Sequence, residues 1–248
     1  VYDTGPRKAR NVILFIGDGL SPAHRTAARL LSKGIAEGRS FGKLAMDDMP
    51  QMALVATAGT DSIITDSANS ASAYATGHKT ASAAMGVYAD RTISPFDDPR
   101  VETITSLAKR RLGLGIGIVT NTEVEDATPA AMIAHTRRRG TYDEIVAQLF
   151  AARPDVLMGG GSASFLPKDA PGSKRKDDID YVARFREAGY RMATTASELN
   201  ALAAQPETRR LLGLFAAGNM DGALDRKFLK GGGVGKFPEQ PDLTEQVQ

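Results

Sequence analysis

LGIGIVTNTEVEDATPAAMIAHTRRRG, residues 114–140, decides the fold class of this chain. Its apolar residues first run together between glycines and polar residues, as in a strand buried on both faces. Asp126 then stands ahead of Pro129, and alanines follow, which predicts a helix over 128–139. A doubly buried strand followed by a helix is the repeating unit of a parallel α/β sheet.

The same alternation recurs along the chain. NVILFIGDG (11–19), QMALVATAG (51–59), DVLMGGG (155–161), YRMATTA (190–196) and LLGLFAAG (211–218) read as further strands. Residues 22–33, 101–111, 142–151 and 178–188 carry apolar side chains at helical spacing. The predicted fold is therefore α/β, a three-layer sandwich with a largely parallel central sheet flanked by helices. Such sheets bind ligands beyond the carboxyl ends of their strands, so residues just after each strand carry the functional weight.

Composition narrows the classes. The 248 residues hold 31 Lys and Arg against 29 Asp and Glu, a net charge of +2 that gives no footprint for a nucleic-acid-specific site. The most basic runs, RTAAR, TRRRG and GSKRK, are short and scattered, and most of them read as solvated surface. No cysteine is present, which excludes disulfides, thiolate metal sites and cysteine nucleophiles. No apolar run approaches the ~20 residues of a membrane span. The opening VYDTGPRKAR lacks the apolar core of a signal peptide. Residues 90–100 and 167–178 read as polar surface loops. So does 228–243, whose GGGVGK only superficially suggests a phosphate-binding loop. Lys230 stands where that motif needs its first Gly, and Phe237 where it needs Ser or Thr.

Three places hold candidate chemistry. Asp18, between two glycines after the first strand, is placed either to ligate a hard cation or zinc or to hydrogen-bond a turn. In TDSANSASAYATGHKT (65–80), Asp66 is a helix N-cap, the helix runs from near Ser67 to about Ala75, and Gly77 ends it. Ser67 then stands at the helix start, where free N–H groups favour negative charge; the alternative is a second capping hydroxyl. Ser70 and Ser72 read as small-residue packing. A serine needs a base or a metal to become a nucleophile, and none of the three histidines has a partner suggesting a Ser-His-Asp arrangement. Asp126 and Thr128 follow the strand at 114–121. They can share a cation, for which oxygen donors favour magnesium, or simply cap a helix. Beyond them, one of three adjacent arginines could clamp a phosphate or serve as a cation at a helix C-terminus; residue chemistry alone does not choose among them.

Taken in order, these motifs resemble bacterial and animal alkaline phosphatases over nearly the whole chain. NVILFIGDGL resembles that family's metal-binding first strand. TDSANSASAYATGHKT and NTEVEDATPAAMIAH resemble its nucleophile helix and magnesium segment. DVLMGGG and LLGLFAAGNM resemble framework strands. The resemblance implies that Ser67 is the nucleophile, forms a phosphoserine and ligates a metal, and that Asp18 bridges a zinc and the magnesium. It implies that Asp126 and Thr128 bind the magnesium and that Arg139, not Arg137 or Arg138, clamps phosphate. Two zincs, one magnesium, small phosphate monoesters with inorganic phosphate as product, a homodimer and a periplasmic or secreted location are implied likewise. The family's other zinc and magnesium ligands come from a later half, for which these residues hold no counterpart. Residues 1–248 are accordingly expected to form the N-terminal part of one such domain, with the missing ligands supplied elsewhere, a separate C-terminal chain being one such source. A related phosphodiesterase or sulfatase, or a non-catalytic phosphate-binding fragment, are the alternatives.

Overall fold

The computed structural model describes residues 9–90, 92, 94, 96–229 and 239–247. The GGGVGK motif lies outside them. Two compact units divide the chain, residues 1–56 and 57–248.

In the first unit, α1 (Pro22–Lys33) begins where Ser21 and His24 cap each other, with Pro22 at the first position. That proline gives up no helical hydrogen bond, because the first N–H groups have no intrahelical partner. The short hairpin β1 (Ile35–Ala36) and β2 (Arg39–Ser40) follows. Asp47 accepts from the Leu44 backbone and from Arg25, which ties the helix to the residues after the hairpin.

Among the described residues, two expected strands are absent. Residues 11–17 and 51–58 enter no ladder. Val12, Ile13, Leu14 and Phe15 are exposed, as are Met52, Leu54 and Val55. A strand that hides both faces exists only beside neighbours, and here these runs have none.

The second unit holds α2 (Ser67–Thr76), α3 (Ile104–Leu112), β3 (Gly117–Glu123), α4 (Ala127–Ala130), α5 (Tyr142–Ala152), β4 (Val156–Gly160), α6 (Tyr181–Glu187), β5 (Arg191–Ala193), α7 (Ala196–Ala203), β6 (Leu211–Leu214) and α8 (Leu243–Val247). Four strands form a wholly parallel sheet in the order β3-β4-β6-β5. The α/β reading therefore holds, with helices flanking the sheet. Neighbouring residues Leu157 and Met158, and likewise Leu211 and Leu212, are all buried, so both faces of the central strands are covered. One side packs Met158, Leu211 and Ala193 with Leu199 of α7 and Phe215. A separate aromatic cluster centres on Phe185, whose ring meets Phe150 and Tyr190 edge-on.

Two local details shape the carboxyl end of this sheet. Between Val119 and Glu123 the register of β3 shifts against β4, so β3 bulges as it leaves the sheet. At Gly160 the carbonyl of Gly218 comes so close that a Cβ would lie 2.0 Å from it, so only glycine fits.

The helix expected over 128–139 stops after one turn. His135 gives its N–H to the Gln148 side chain, and Thr136 exchanges backbone hydrogen bonds with Met85. Those tertiary partners take the groups that a continuing helix would need. Arg139 thus lies on an extended segment, its own N–H donated to the Ala83 carbonyl at 2.8 Å.

The surface reading of GSKRK also fails at one residue. The Arg175 side chain is buried, doubly hydrogen-bonded to Asp177 and stacked on Tyr181.

Candidate active site

The stretch 65–80 folds as its residues dictate. Asp66 Oδ1 accepts the Asn69 N–H at 3.0 Å, and Gly77 adopts the left-handed conformation that ends α2. Ala68, Ala71 and Ala75 are buried, so the small side chains let neighbouring backbone pack close. Three hydroxyls are taken up locally. Ser70 donates to the Asp66 carbonyl, Thr76 donates to the Ser72 carbonyl, and Ser72 accepts from the Gly86 N–H. Ser67 is the first residue of the helix and is half-buried, at the end where the helix dipole favours negative charge.

Arg139 joins this helix to the next one. Its Nη2 lies 2.8 Å from Asp126 Oδ1 and its Nη1 3.4 Å from Asp66 Oδ2. Both carboxylates are N-caps, Asp66 of α2 and Asp126 of α4. Burial works against the guanidinium charge, but the hydrogen bond and field of Asp126, with Asp66 behind them, raise its pKa above the ordinary value. Asp66 Oδ2 also accepts the Ala83 N–H, from the residue whose carbonyl binds Arg139 N. One small frame therefore fixes both the backbone and the head of Arg139. Arg137 instead donates to the Ser82 carbonyl, and the Arg138 backbone is held by Thr136 and Thr141.

Three acidic side chains crowd the turn after β3. Glu123 pairs with Lys174 at 2.7 Å, and its N–H is donated to Asn219. Glu125 is fully buried, and neither carboxyl oxygen meets a hydrogen-bond partner among the described residues. Burial pushes its pKa up to about 7, against a smaller opposing pull from the nearby Ser164 hydroxyl. Tyr142, at the start of α5, is half-buried. Burial, followed by the fields of Asp126, Glu123 and Glu125, pushes its phenol up to about 12. It therefore stays a neutral hydrogen-bond donor well into alkaline conditions.

The second unit thus brings Arg139 together with Asp126, and holds Ser67 and Thr128 at the starts of the two helices whose caps Arg139 bridges. Asp18 belongs to the first unit, in a turn where the Leu20 N–H meets the Gly17 carbonyl. The sequence reading gave Asp66 only a capping role. Its grip on Arg139, 73 residues away, was missed, as were Glu125 and Tyr142. The cap motif was the one available signal for Asp66.

Asp126 and Thr128 offer oxygen donors of the kind a hard cation takes. Asp126 Oδ1 is engaged by Arg139 and by the Ala127 N–H. Among the described residues no three His, Cys, Asp or Glu side chains gather closely enough to hold a metal. The donors present suit part of a magnesium site.

A family model described as alkaline phosphatase matches residues 9–248. The chain is 35% identical to the alkaline phosphatase of Escherichia coli over 239 residues, 86% of this chain and 48% of that protein. Its fold matches the crystal structure of Thermus thermophilus alkaline phosphatase with a TM-score of 0.78 at 29% identity, over 98% of this chain and 46% of the other. A mutant of TAB5 alkaline phosphatase with Mg bound in its M3 site matches at a TM-score of 0.56 and 30% identity, over 66% of this chain and 43% of that one. The chain spans about half the length of these proteins.

Proposed function

The chain belongs to the alkaline phosphatase family, and from that premise we propose that it carries the nucleophile and phosphate-binding part of a metal-dependent phosphate monoesterase. The observation that carries this reading is the frame around Arg139, which fixes a guanidinium beside Asp126 and ties it to the cap of the helix that starts at Ser67. In the proposed reaction, Ser67 Oγ attacks phosphorus, a new P–O bond forms, and the ester P–O bond breaks as the leaving oxygen takes a proton. Water then cleaves the phosphoserine, releasing inorganic phosphate and regenerating the hydroxyl. Arg139 offers parallel N–H donors to two of the equatorial phosphoryl oxygens, and the dipole at the start of α2 adds a field of the same sign.

Asp126 and Thr128 would hold magnesium, and Asp18 and Ser67 would contribute to the zinc sites. When bound, such ions lower the pKa of a hydroxyl or water and stabilise the leaving oxygen. The remaining ligands, two zincs and one magnesium in all, are proposed to come from protein outside the described residues. A homodimer and a periplasmic or secreted location rest on the same family premise. Among the described residues no helix is long and apolar enough to cross a membrane.

The deciding experiment is chemical trapping. Brief reaction with a phosphate monoester followed by acid quench should leave a phosphoryl group on Ser67, located by peptide mass spectrometry. A turnover-competent protein that never carries phosphate there would overturn the proposal.

A further inference from the structure

The turn that presents Asp126 and Thr128 follows a bulge in β3, whose pairing with β4 resumes at Glu123 opposite Gly160. Glu125 sits inside that turn, next to Asp126. It is fully buried, and among the described residues it carries no ion pair and neither carboxyl oxygen has a partner in good hydrogen-bond geometry, the Ser164 hydroxyl being the nearby polar group that acts on it. A buried polar group in that condition calls for an explanation.

The explanation lies across the sheet, at Gly161 just past the end of β4. A Cβ built on Gly161 would lie 2.2 Å from Glu125 Oε2 and 2.9 Å from both its carboxyl carbon and Oε1. The whole carboxyl group thus rests on the bare backbone of Gly161. Gly161 is itself anchored, since its N–H reaches the Ala216 and Gly218 carbonyls at 3.0 Å and its carbonyl accepts the Ser164 N–H. Its φ of +96° suits glycine and leaves the position without a side chain. The next contact of the turn runs the same way, with the Val124 N–H donated to the Gly160 carbonyl at 3.2 Å.

We infer that Glu125 is a positioning residue for the cation-facing pair Asp126 and Thr128, acting by its reach onto Gly161 and not by its charge. A side chain of this length spans from the β3–α4 turn to the β4 backbone and sets how far Asp126 stands from the sheet. The Ser164 hydroxyl and the more distant Lys174 pull only weakly on this carboxyl group against its burial, so what it offers at the Gly161 contact is bulk and length. A residue of equal length should replace it, and a shorter one should let the turn settle inward. The inference rests on the proposed magnesium role of Asp126.

Manganese binding, followed by the loss of the free-ion signal in electron paramagnetic resonance, tests it in the full chain without reference to turnover. Glu125→Gln keeps the length and removes the charge; it should bind Mn²⁺ within about twofold of the parent. Glu125→Asp keeps the charge and removes one methylene; it should bind about tenfold more weakly, as losses of support behind a metal ligand do. The reverse order would show that charge governs the site, and equal binding by both variants, strong or weak, would show that reach does not; each outcome overturns the inference. Circular dichroism confirms that each variant is folded. If Glu125→Asp does not fold, Glu125→Gln alone decides, with near-parent binding supporting the inference and a tenfold loss overturning it. Asp126→Asn separates the two levels: unchanged Mn²⁺ binding in that variant removes the magnesium reading itself, whatever Glu125 does.

Discussion

Arg139 spans two helix N-caps, with one guanidinium nitrogen 2.8 Å from Asp126 and the other 3.4 Å from Asp66. The two carboxylates hold the planar head in one orientation and leave it half-buried at the carboxyl end of the sheet. A lysine carries the same charge but only one nitrogen, so it cannot bridge both caps or present two parallel donors to a phosphoryl group. Arg139→Lys is therefore expected to weaken inhibition by phosphate and vanadate by roughly ten- to a hundredfold, in the range of lost charge-assisted hydrogen bonds. Inhibition constants measure it. Arg138→Lys, altered outside the frame, should leave them unchanged.

Ser67 and Ser70 lie one turn apart on α2 but differ in what surrounds them. The Ser70 hydroxyl is spent on the Asp66 carbonyl at 2.7 Å, whereas Ser67 opens the helix. Made in the completed protein, Ser67→Ala should abolish the acid-stable phosphoserine and nearly all monoester turnover, and Ser70→Ala should preserve both. Assays with a phosphate monoester, a phosphate diester and a sulfate ester in parallel should show turnover concentrated on the monoester.

Asp126 serves two masters, Arg139 and the proposed magnesium. Asp126→Asn keeps its size and a hydrogen bond to the Ala127 N–H, but weakens the hold on Arg139. Magnesium affinity should fall by at least tenfold, read by calorimetric titration, with a smaller loss in vanadate affinity. In the protein completed with its remaining metal ligands, chelation should abolish turnover, and added zinc and magnesium should restore it.

How far the sequence reached depended on where the partners lay. α2 was legible to within a residue at both ends, because Asp66 and Gly77 are local signals. The strands β4 and β6 were legible from unbroken apolar runs, and β3 and β5 from apolar residues set between turns. The helix over 128–139 was not, since Thr136 pairs with Met85 and His135 with Gln148, and no local pattern encodes a distant hydrogen bond. Glu125 was opaque for a similar reason: its carboxyl group lies against the Gly161 backbone, 36 residues further on. Val12 to Phe15 read as a doubly buried strand but are exposed, because strand pairing belongs to neighbours and not to the run itself.

Glu125 also sets a pH dependence. Its folded pKa, about 7, lies above the ordinary 4.5 because burial penalises the charged form. The folded protein therefore binds this proton more tightly than the unfolded chain. The associated stability is fully present below about pH 4.5 and is lost as pH rises through about 7, an effect of order 3 kcal/mol. Glu125→Gln should remove this slope. Its melting temperature should exceed the parent's at pH 8, and the advantage should vanish near pH 4.5. Thermal melts across that range check both the sign and the window.

Arg175 should dominate the stability of the 167–178 loop. Its guanidinium is buried, bonded to both Asp177 oxygens at 2.8 and 2.6 Å and to the Ser164 carbonyl at 3.1 Å, and it stacks 4.6 Å from the Tyr181 ring centre. Arg175→Ala removes the charge, the stacking and the bulk together and should cost about 2–4 kcal/mol. Arg175→Met keeps most of the bulk and needs no counter-charge, so it should cost less. Asp177→Ala leaves the buried cation with Asp143, at 3.8 Å, as its remaining carboxylate among the described residues. It should therefore be more destabilising in the parent than in an Arg175→Met background, where no cation remains to be neutralised. Chemical denaturation of the four proteins measures that coupling. Additive costs would mean that the pair contributes no stability beyond what each side chain packs.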